Sequence, residues 1–237
     1  MKKPNIILIM TDDQGYGDLG CMGATDFVTP HLDALAGSGA RFDCMYSRAS
    51  LLTGLYPGYA GVRSILAGHR KASGLTAKTP TLASAVKPLG YHTGLIGKWH
   101  LGLKPGCRPN DNGFDTFYGF LAGCVDYYSH IFYWGMADGR RNPIHDLWSG
   151  ETEIYANGRY LTDLITEKSV EYIREHKDGP FCLYVAYNAP HYPMHAPDKY
   201  LDRFAHLPWD RRIMAAMISA VDDGVGEIRA ELARQGL

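Results

Sequence analysis

Asn5-Ile6-Ile7-Leu8-Ile9-Met10-Thr11-Asp12-Asp13 runs from an unbroken apolar stretch straight into two carboxylates. An Ile/Leu run without polar alternation suits a parallel strand covered on both faces, so residues 5–10 are expected to form a central, buried strand. Open α/β sheets place ligands outside the carboxyl ends of their strands, which is where Asp12 and Asp13 fall. Adjacent carboxylates repel unless a cation or proton sits between them, and a hard divalent metal is a natural partner. A solvated turn leading to Gly15 is the plainer alternative.

Outward from this strand, apolar runs alternate with helical patterns, which predicts an α/β fold with a mostly parallel central sheet flanked by helices. Thr29-Pro30 reads as the N-cap and first turn of a helix carrying Leu32, Leu35 and Ala36, and Thr79-Pro80 as the same opening ahead of Leu82, Ala83, Ala85 and Val86. Residues 90–97 read as a strand. Over 161–176 the positions Leu161, Leu164, Ile165, Tyr172 and Ile173 share one helical face. Asp178-Gly179-Pro180 breaks that helix, and 181–187 read as a second buried strand. A last helix from about 209 onward aligns Ile213, Met217, Ala220, Gly224, Ile228 and Leu232 in one stripe.

Composition bounds the function. The 237 residues carry 24 basic and 25 acidic side chains, a formal charge of 24 − 25 = −1, which argues against a nucleic-acid binder or a partner of anionic membranes. No stretch reaches the ~18 apolar residues of a membrane span. The amino terminus lacks a long enough apolar region for an export signal, which leaves localisation open. Five scattered cysteines, Cys21, Cys44, Cys107, Cys124 and Cys182, show no CxxC spacing for zinc or a redox pair. With no repeat or linker, residues 1–237 read as one domain.

Two further clusters follow strands. Gly97-Lys98-Trp99-His100 offers an ammonium and an imidazole two residues apart, suited to an anionic group and its leaving oxygen. Asn188-Ala189-Pro190-His191-Tyr192-Pro193 holds His191 between prolines, as a ligand, a proton carrier or a structural histidine. Tyr127, Tyr128, Phe132, Tyr133 and Trp134 could form a sugar-stacking wall or a buried aromatic core.

Taken together these stretches resemble the sulfatase family of the alkaline-phosphatase-like superfamily. The likeness is carried by Pro4-Asn5-Ile6-Ile7-Leu8-Ile9-Met10-Thr11-Asp12-Asp13-Gln14-Gly15-Tyr16-Gly17-Asp18, by Thr29-Pro30-His31-Leu32-Asp33, by Gly90-Tyr91-His92-Thr93 through Gly97-Lys98-Trp99-His100, and by Pro190-His191-Tyr192-Pro193. The resemblance implies a hydrolase of sulfate esters acting on a sulfated small molecule or carbohydrate. It implies that Asp12 and Asp13 bind Ca2+ or another divalent cation, and that Lys98, His100 and His191 grip the sulfate and assist the leaving alcohol. The superfamily also contains phosphodiesterases and phosphonate monoester hydrolases, and a pseudo-sulfatase that binds sulfated ligands without turnover is a third class.

The family nucleophile is a formylglycine made from cysteine by a formylglycine-generating enzyme, within a Cys-x-Pro-Ser-Arg element. Here the matching stretch is Cys44-Met45-Tyr46-Ser47-Arg48. In one alignment Cys44 is the modified residue and Tyr46 replaces the proline. In the other, Cys44 is an ordinary strand residue and about eight residues, the nucleophile included, are absent between Ser47 and Arg48. Arg48 matches the motif arginine in both. Sulfatases complete the metal site with an Asp-Asn pair after a helix like the one ending at Gly236-Leu237, so the resemblance implies a chain lacking its C-terminal part, with little or no activity of its own.

Overall fold

A computed structural model describes residues 3–42, 48–137 and 140–237 of the protein, with the backbone alone for Arg48, Met136 and Ala137. The elements in chain order are β1 (Ile6–Asp12), α1 (Pro30–Gly37), α2 (Arg48–Thr53), α3 (Leu82–Val86), β2 (His92–Lys98) and β3 (Thr116–Phe120). There follow β4 (Ile131–Phe132), β5 (Met136–Ala137), β6 (Arg140–Arg141), β7 (Ile144–His145), β8 (Trp148–Ser149) and β9 (Thr152–Glu153). The chain closes with α4 (Leu161–Glu175), β10 (Phe181–Pro190), α5 (Asp198–Leu201) and α6 (Trp209–Arg234).

One six-stranded sheet has the order β1-β10-β2-β3-β8-β9. Its first four strands are parallel, in the register Leu8↔Tyr184↔Leu95↔Phe117, and β8 and β9 add antiparallel at the far side. The two smaller pairs, β4 with β7 and β5 with β6, are antiparallel ribbons. The expected α/β architecture with a mostly parallel sheet is thus present. All ten residues of β10 are buried, as a strand between two parallel neighbours and under helices must be. Each large apolar side chain hidden this way stabilises the fold by about 1.5–3 kcal/mol relative to exposure.

The helix α4 packs against α6, and both pack on β10. The stripe read from the sequence is the face that α6 buries: Ile213, Met217, Ala220, Gly224 and Ile228 are all buried, with Leu232 at the half-buried edge. Bidentate bonds from Arg174 to Glu231, at 2.9 and 3.0 Å, tie the two helices near their ends. A planar guanidinium fork on a carboxylate fixes orientation as well as distance.

Two helix starts differ from the sequence reading. Thr29 stands at the N-cap of α1 but its side chain does not cap: its hydroxyl accepts from Gly20 N–H at 2.9 Å and donates to the Asp33 carboxylate at 3.0 Å. The free N–H groups of His31 and Leu32 donate instead to the buried Asp222 of α6, at 3.2 and 2.8 Å. A carboxylate from a distant helix therefore does the work expected of the local threonine, and it also meets the positive end of the helix dipole. Thr79-Pro80 does not open α3. The cap is Thr81, which accepts from Ser84 N–H at 3.1 Å while Ser84 Oγ accepts from Thr81 N–H at 2.8 Å, a reciprocal capping box. The strand expected over 90–97 begins at His92, because Gly90 takes a left-handed φ of 80° that ends the preceding helical turn.

Candidate active site

The carboxyl ends of β1, β10 and β2 lie side by side, and each delivers one of the sequence clusters. At the end of β1 the pairing slips, with Met10 opposite Ala186 but Asp12 opposite Pro190. Such an irregularity at a strand end re-aims side chains. Asp12 is buried, and Asp13 turns the chain with a left-handed φ of 58°. The two carboxylates consequently line one cleft, where an undistorted strand would send neighbouring side chains to opposite faces.

At the end of β2, Lys98 is buried and its ammonium forms an ion pair with the Asp12 carboxylate. Residues 99 and 100 remain tied to the chain at the end of β3: Trp99 N–H donates to the Phe120 carbonyl at 2.9 Å and His100 N–H to that of Leu121 at 3.2 Å. The buried Trp99 indole donates to the Cys107 carbonyl at 2.8 Å. His100 takes a left-handed φ of 53°, a sharp turn just past the strand, and Lys98 and His100 both line the cleft.

At the end of β10, Ala189-Pro190 and Tyr192-Pro193 are cis peptides flanking His191. His191 N–H donates to the Asn188 carbonyl at 3.0 Å, and the Tyr127 hydroxyl donates to the His191 carbonyl at 3.0 Å. Nδ1 lies 2.6 Å from the Tyr192 carbonyl, which can only accept, so Nδ1 carries the proton of that bond. Nε2, 3.5 Å from Asp13 Oδ2, is then the nitrogen that can take up or release a proton.

These groups surround a cleft of about 690 Å3 that also includes Ala49, Arg63, Gly123, Cys124, Trp134 and Tyr192. Its size falls within the roughly 300–1,000 Å3 of small-molecule sites. Ala49 is the second residue of α2, so α2 begins at the cleft edge with Arg48 as its first residue. Cys44 lies outside the described residues, as does the junction on which the two alignments of that segment differ. Cys124 is no substitute nucleophile. Burial pushes its thiol up to about 11; the Lys98 ammonium offsets part of this and the Asp12 charge adds to it, which leaves the sulfur protonated at neutral pH.

Several residues of the cleft carry no motif. Gly123 is one: a Cβ there would sit 2.8 Å from His100 Nε2. The loop that carries it is held by the buried Asp146, whose carboxylate accepts from Leu121 N–H at 3.1 Å, Ala122 N–H at 2.7 Å and the Trp148 indole at 2.6 Å. A lone aspartate in the apolar stretch Ile144-His145-Asp146-Leu147-Trp148 is the signal that the sequence offers for it. Gly123→Ala is expected to displace the His100 imidazole while leaving the stability within about 1 kcal/mol of the parent, because the obstructed atom is the end of a side chain. Histidine side-chain NMR checks this: unmoved His100 resonances would refute the contact.

The aromatic cluster divides between its two readings. Tyr127 is fully buried and stacks on Tyr160 with ring centroids 5.5 Å apart, and Phe132 is buried. Trp134 is exposed and faces the cleft.

The donor set suits a hard cation in kind. Asp12 and Asp13 offer carboxylate oxygens into one cleft, the chemistry that Ca2+ takes, although a full calcium shell counts about 6–8 oxygens. Among the described residues, the three-residue group with metal-ligand spacing is elsewhere, at His31, Asp222 and Asp223. There Asp222 is occupied by backbone N–H groups of α1 and Asp223 by Arg203 at 2.8 Å, so that group is structural.

Comparison with known proteins identifies the family. The family model described as Sulfatase matches residues 4–237. The chain is 34% identical to arylsulfatase J of Mus musculus, over 99% of this chain and 40% of that protein. It is 30% identical to an arylsulfatase of Klebsiella aerogenes, over 86% of this chain and 46% of that protein. The solved structure of Ps i-CgsB in complex with k-i-k-neocarrahexaose superposes with a TM-score of 0.86 at 34% identity, covering 99% of this chain and 56% of that one. The chain thus spans about half the length of the relatives it matches. A family model that matches nearly the whole chain means that the chain belongs to the sulfatase family.

Proposed function

We propose that the chain supplies the sulfate-ester site of a sulfuric ester hydrolase, with a sulfated carbohydrate or other sulfated small molecule as substrate. The observation that carries this reading is the convergence of Asp12, Asp13, Lys98, His100 and His191, from the ends of three strands, on one cleft. The charges of the lining support it. Among the described side chains that line it, the two carboxylates of Asp12 and Asp13 stand against the two cations of Lys98 and Arg63, a sum of −2 + 2 = 0. A neutral cleft is a poor receptor for an anionic ester, whereas a divalent ion held by Asp12 and Asp13 makes it cationic.

In that arrangement the ion, Ca2+ in this reading, supplies Lewis-acid polarisation of the sulfate oxygens. A formylglycine made from cysteine would supply the nucleophile; Cys44 is the candidate cysteine here, and Arg48 matches the motif arginine that would orient it. The remaining steps belong to the cleft's own side chains. Lys98, buried and held by Asp12, offers a fixed ammonium to an anionic oxygen with little reorganisation. In this reading His100 and His191 protonate the leaving alkoxide, a role supported by their place in the cleft lining and by the Nδ1 bond of His191, which leaves its Nε2 for the transfer.

Paired assays on an aryl sulfate and an aryl phosphate, with and without calcium, test this proposal, together with mass spectrometry of the peptide containing Cys44. Calcium-dependent turnover that favours sulfate is expected, reduced about 10²-fold or more by His191→Ala. Preference for phosphate would move the protein to the phosphodiesterase and phosphonate hydrolase class. Sulfate binding without turnover, on an unmodified Cys44, would make it a sulfated-ligand binder.

A further inference from the structure

The charged residues are only part of the cleft lining. A series of aromatic rings runs along the cleft: His191 lies on Tyr192 at 4.2 Å between ring centroids, Tyr192 meets Trp134 edge to face at 5.5 Å, and Trp134 contacts Phe132 at 6.0 Å. Phe132 is anchored, since its ring lies over Gly68 so closely that a Cβ there would come within 1.9 Å of Cε1. Trp134 and Tyr192 are different. They remain 40% and 55% exposed inside a concave site, although their neighbours in the series are packed.

Large rings left wet in a concavity are a ready surface for a ligand. Two further features identify its chemistry. Among the described residues, neither the Tyr192 hydroxyl nor the Trp134 indole N–H has a hydrogen bond within the protein, so both polar ends are left to solvent. The edge-to-face angle of 82° makes a corner with an apolar wall and polar rims. A pyranose matches that corner, with its apolar C–H face against a ring and its equatorial hydroxyls toward the rims, whereas a simple aryl group would leave the polar ends unused.

We propose that Trp134 and Tyr192 form a pyranose-binding subsite, which holds the sugar ring whose sulfate ester reaches Lys98, His100 and His191. This subsite rests on the reading of the cleft as a sulfate-ester site and adds the class of group that carries the ester. Tyr192 links the two functions, because it adjoins His191 in the chain and in space: its carbonyl fixes the His191 tautomer while its ring faces the sugar.

The test is binding, measured by titration calorimetry with calcium present, of three probes: D-galactose 6-sulfate, D-galactose and inorganic sulfate. Trp134→Ala is expected to weaken the sugar sulfate about tenfold, the upper end of what one aromatic pair contributes, and to leave inorganic sulfate unchanged. Trp134→Phe, which keeps a ring face and guards against misfolding, is expected to lose less, and Tyr192→Phe to weaken the sugar sulfate alone. Equal losses for the sugar sulfate and inorganic sulfate, or no loss for the sugar sulfate, would overturn the subsite while leaving the anion site intact. Galactose binding that depends on Trp134, with no binding of inorganic sulfate, would uphold the subsite and overturn the sulfate reading. Failure of all three probes to bind would overturn both.

Discussion

Lys98→Ala is expected to lower the stability of the folded chain by about 3–5 kcal/mol, read as a shift in the urea midpoint without a change in slope. The ammonium forms an ion pair with the Asp12 carboxylate, and both side chains are nearly sealed, with 3% and 9% of their surface exposed. Truncating one partner leaves a carboxylate in a low-dielectric site beside a second one, Asp13. The companion double variant Asp12→Asn/Lys98→Met is expected to recover most of the loss, since it removes both charges and keeps the volume. The cycle therefore separates loss of the ion pair from mere loss of packing. Calcium is expected to raise the midpoint of Lys98→Ala more than that of the parent, because a divalent ion at Asp12 and Asp13 would replace the missing counter-charge. A single variant no less stable than the double, with no response to calcium, would mean that the pair contributes through shape alone.

Gly97→Ala is expected to cost about 3 kcal/mol or more and to reduce soluble expression sharply. Gly97 is the penultimate residue of β2 and takes φ 116°, where a side chain is strained whatever the space around it. Space is also missing, as a Cβ would come within 1.9 Å of the Ala186 carbonyl oxygen in β10. Retreat toward β3 is blocked, because Gly97 and Gly119 are themselves paired in tight register there. Gly61→Ala serves as the control. Gly61 has φ 85° but nothing within 4 Å of the position a methyl group would take, so it reports strain without collision, about 1 kcal/mol. If the two substitutions cost the same in equilibrium unfolding, the collision at Ala186 does not govern the strand end. The consequence reaches the site directly, since Lys98 follows Gly97 and any shift of the strand moves the ammonium from Asp12.

The elements that can be read from the sequence are those in which local pattern and burial agree. The buried stretch beginning at Phe181 and the stripe from Ile213 to Ile228 each state their own periodicity and form the expected elements, whereas the run through Ile6 to Met10 forms a strand but at the sheet edge and only half-buried, because an apolar run does not say which neighbours the sheet will give it. Caps are less legible because Ser, Thr and Asp bond to whatever donor folding brings near. Thr81 caps α3 through its own Ser84, whereas α1 is capped by Asp222, about 190 residues away in the chain. At the site, Asp12, Asp13, Lys98, His100 and His191 are legible because each follows a strand and carries charge or an imidazole. The roles of Gly123, Asp146, Trp134 and Tyr192 are not, since a glycine, a lone carboxylate or an aromatic ring reveals nothing of its neighbours until the chain has folded.

The sequence by itself determined the kind of chemistry on offer: carboxylates, an ammonium and imidazoles at the ends of apolar runs, in a chain that belongs to the sulfatase family. Which of them meet was decided only by the tertiary structure. The sheet inserts β10 between β1 and β2, so a strand far from both in the chain brings His191 to Asp13, and Lys98 reaches Asp12 across it. Periodicity is a local property, set by the geometry of one strand or helix, whereas strand order is set by how all the buried faces pack at once. The insertion that makes a cleft out of three separate motifs is for that reason a property of the packed sheet and of no single stretch of residues.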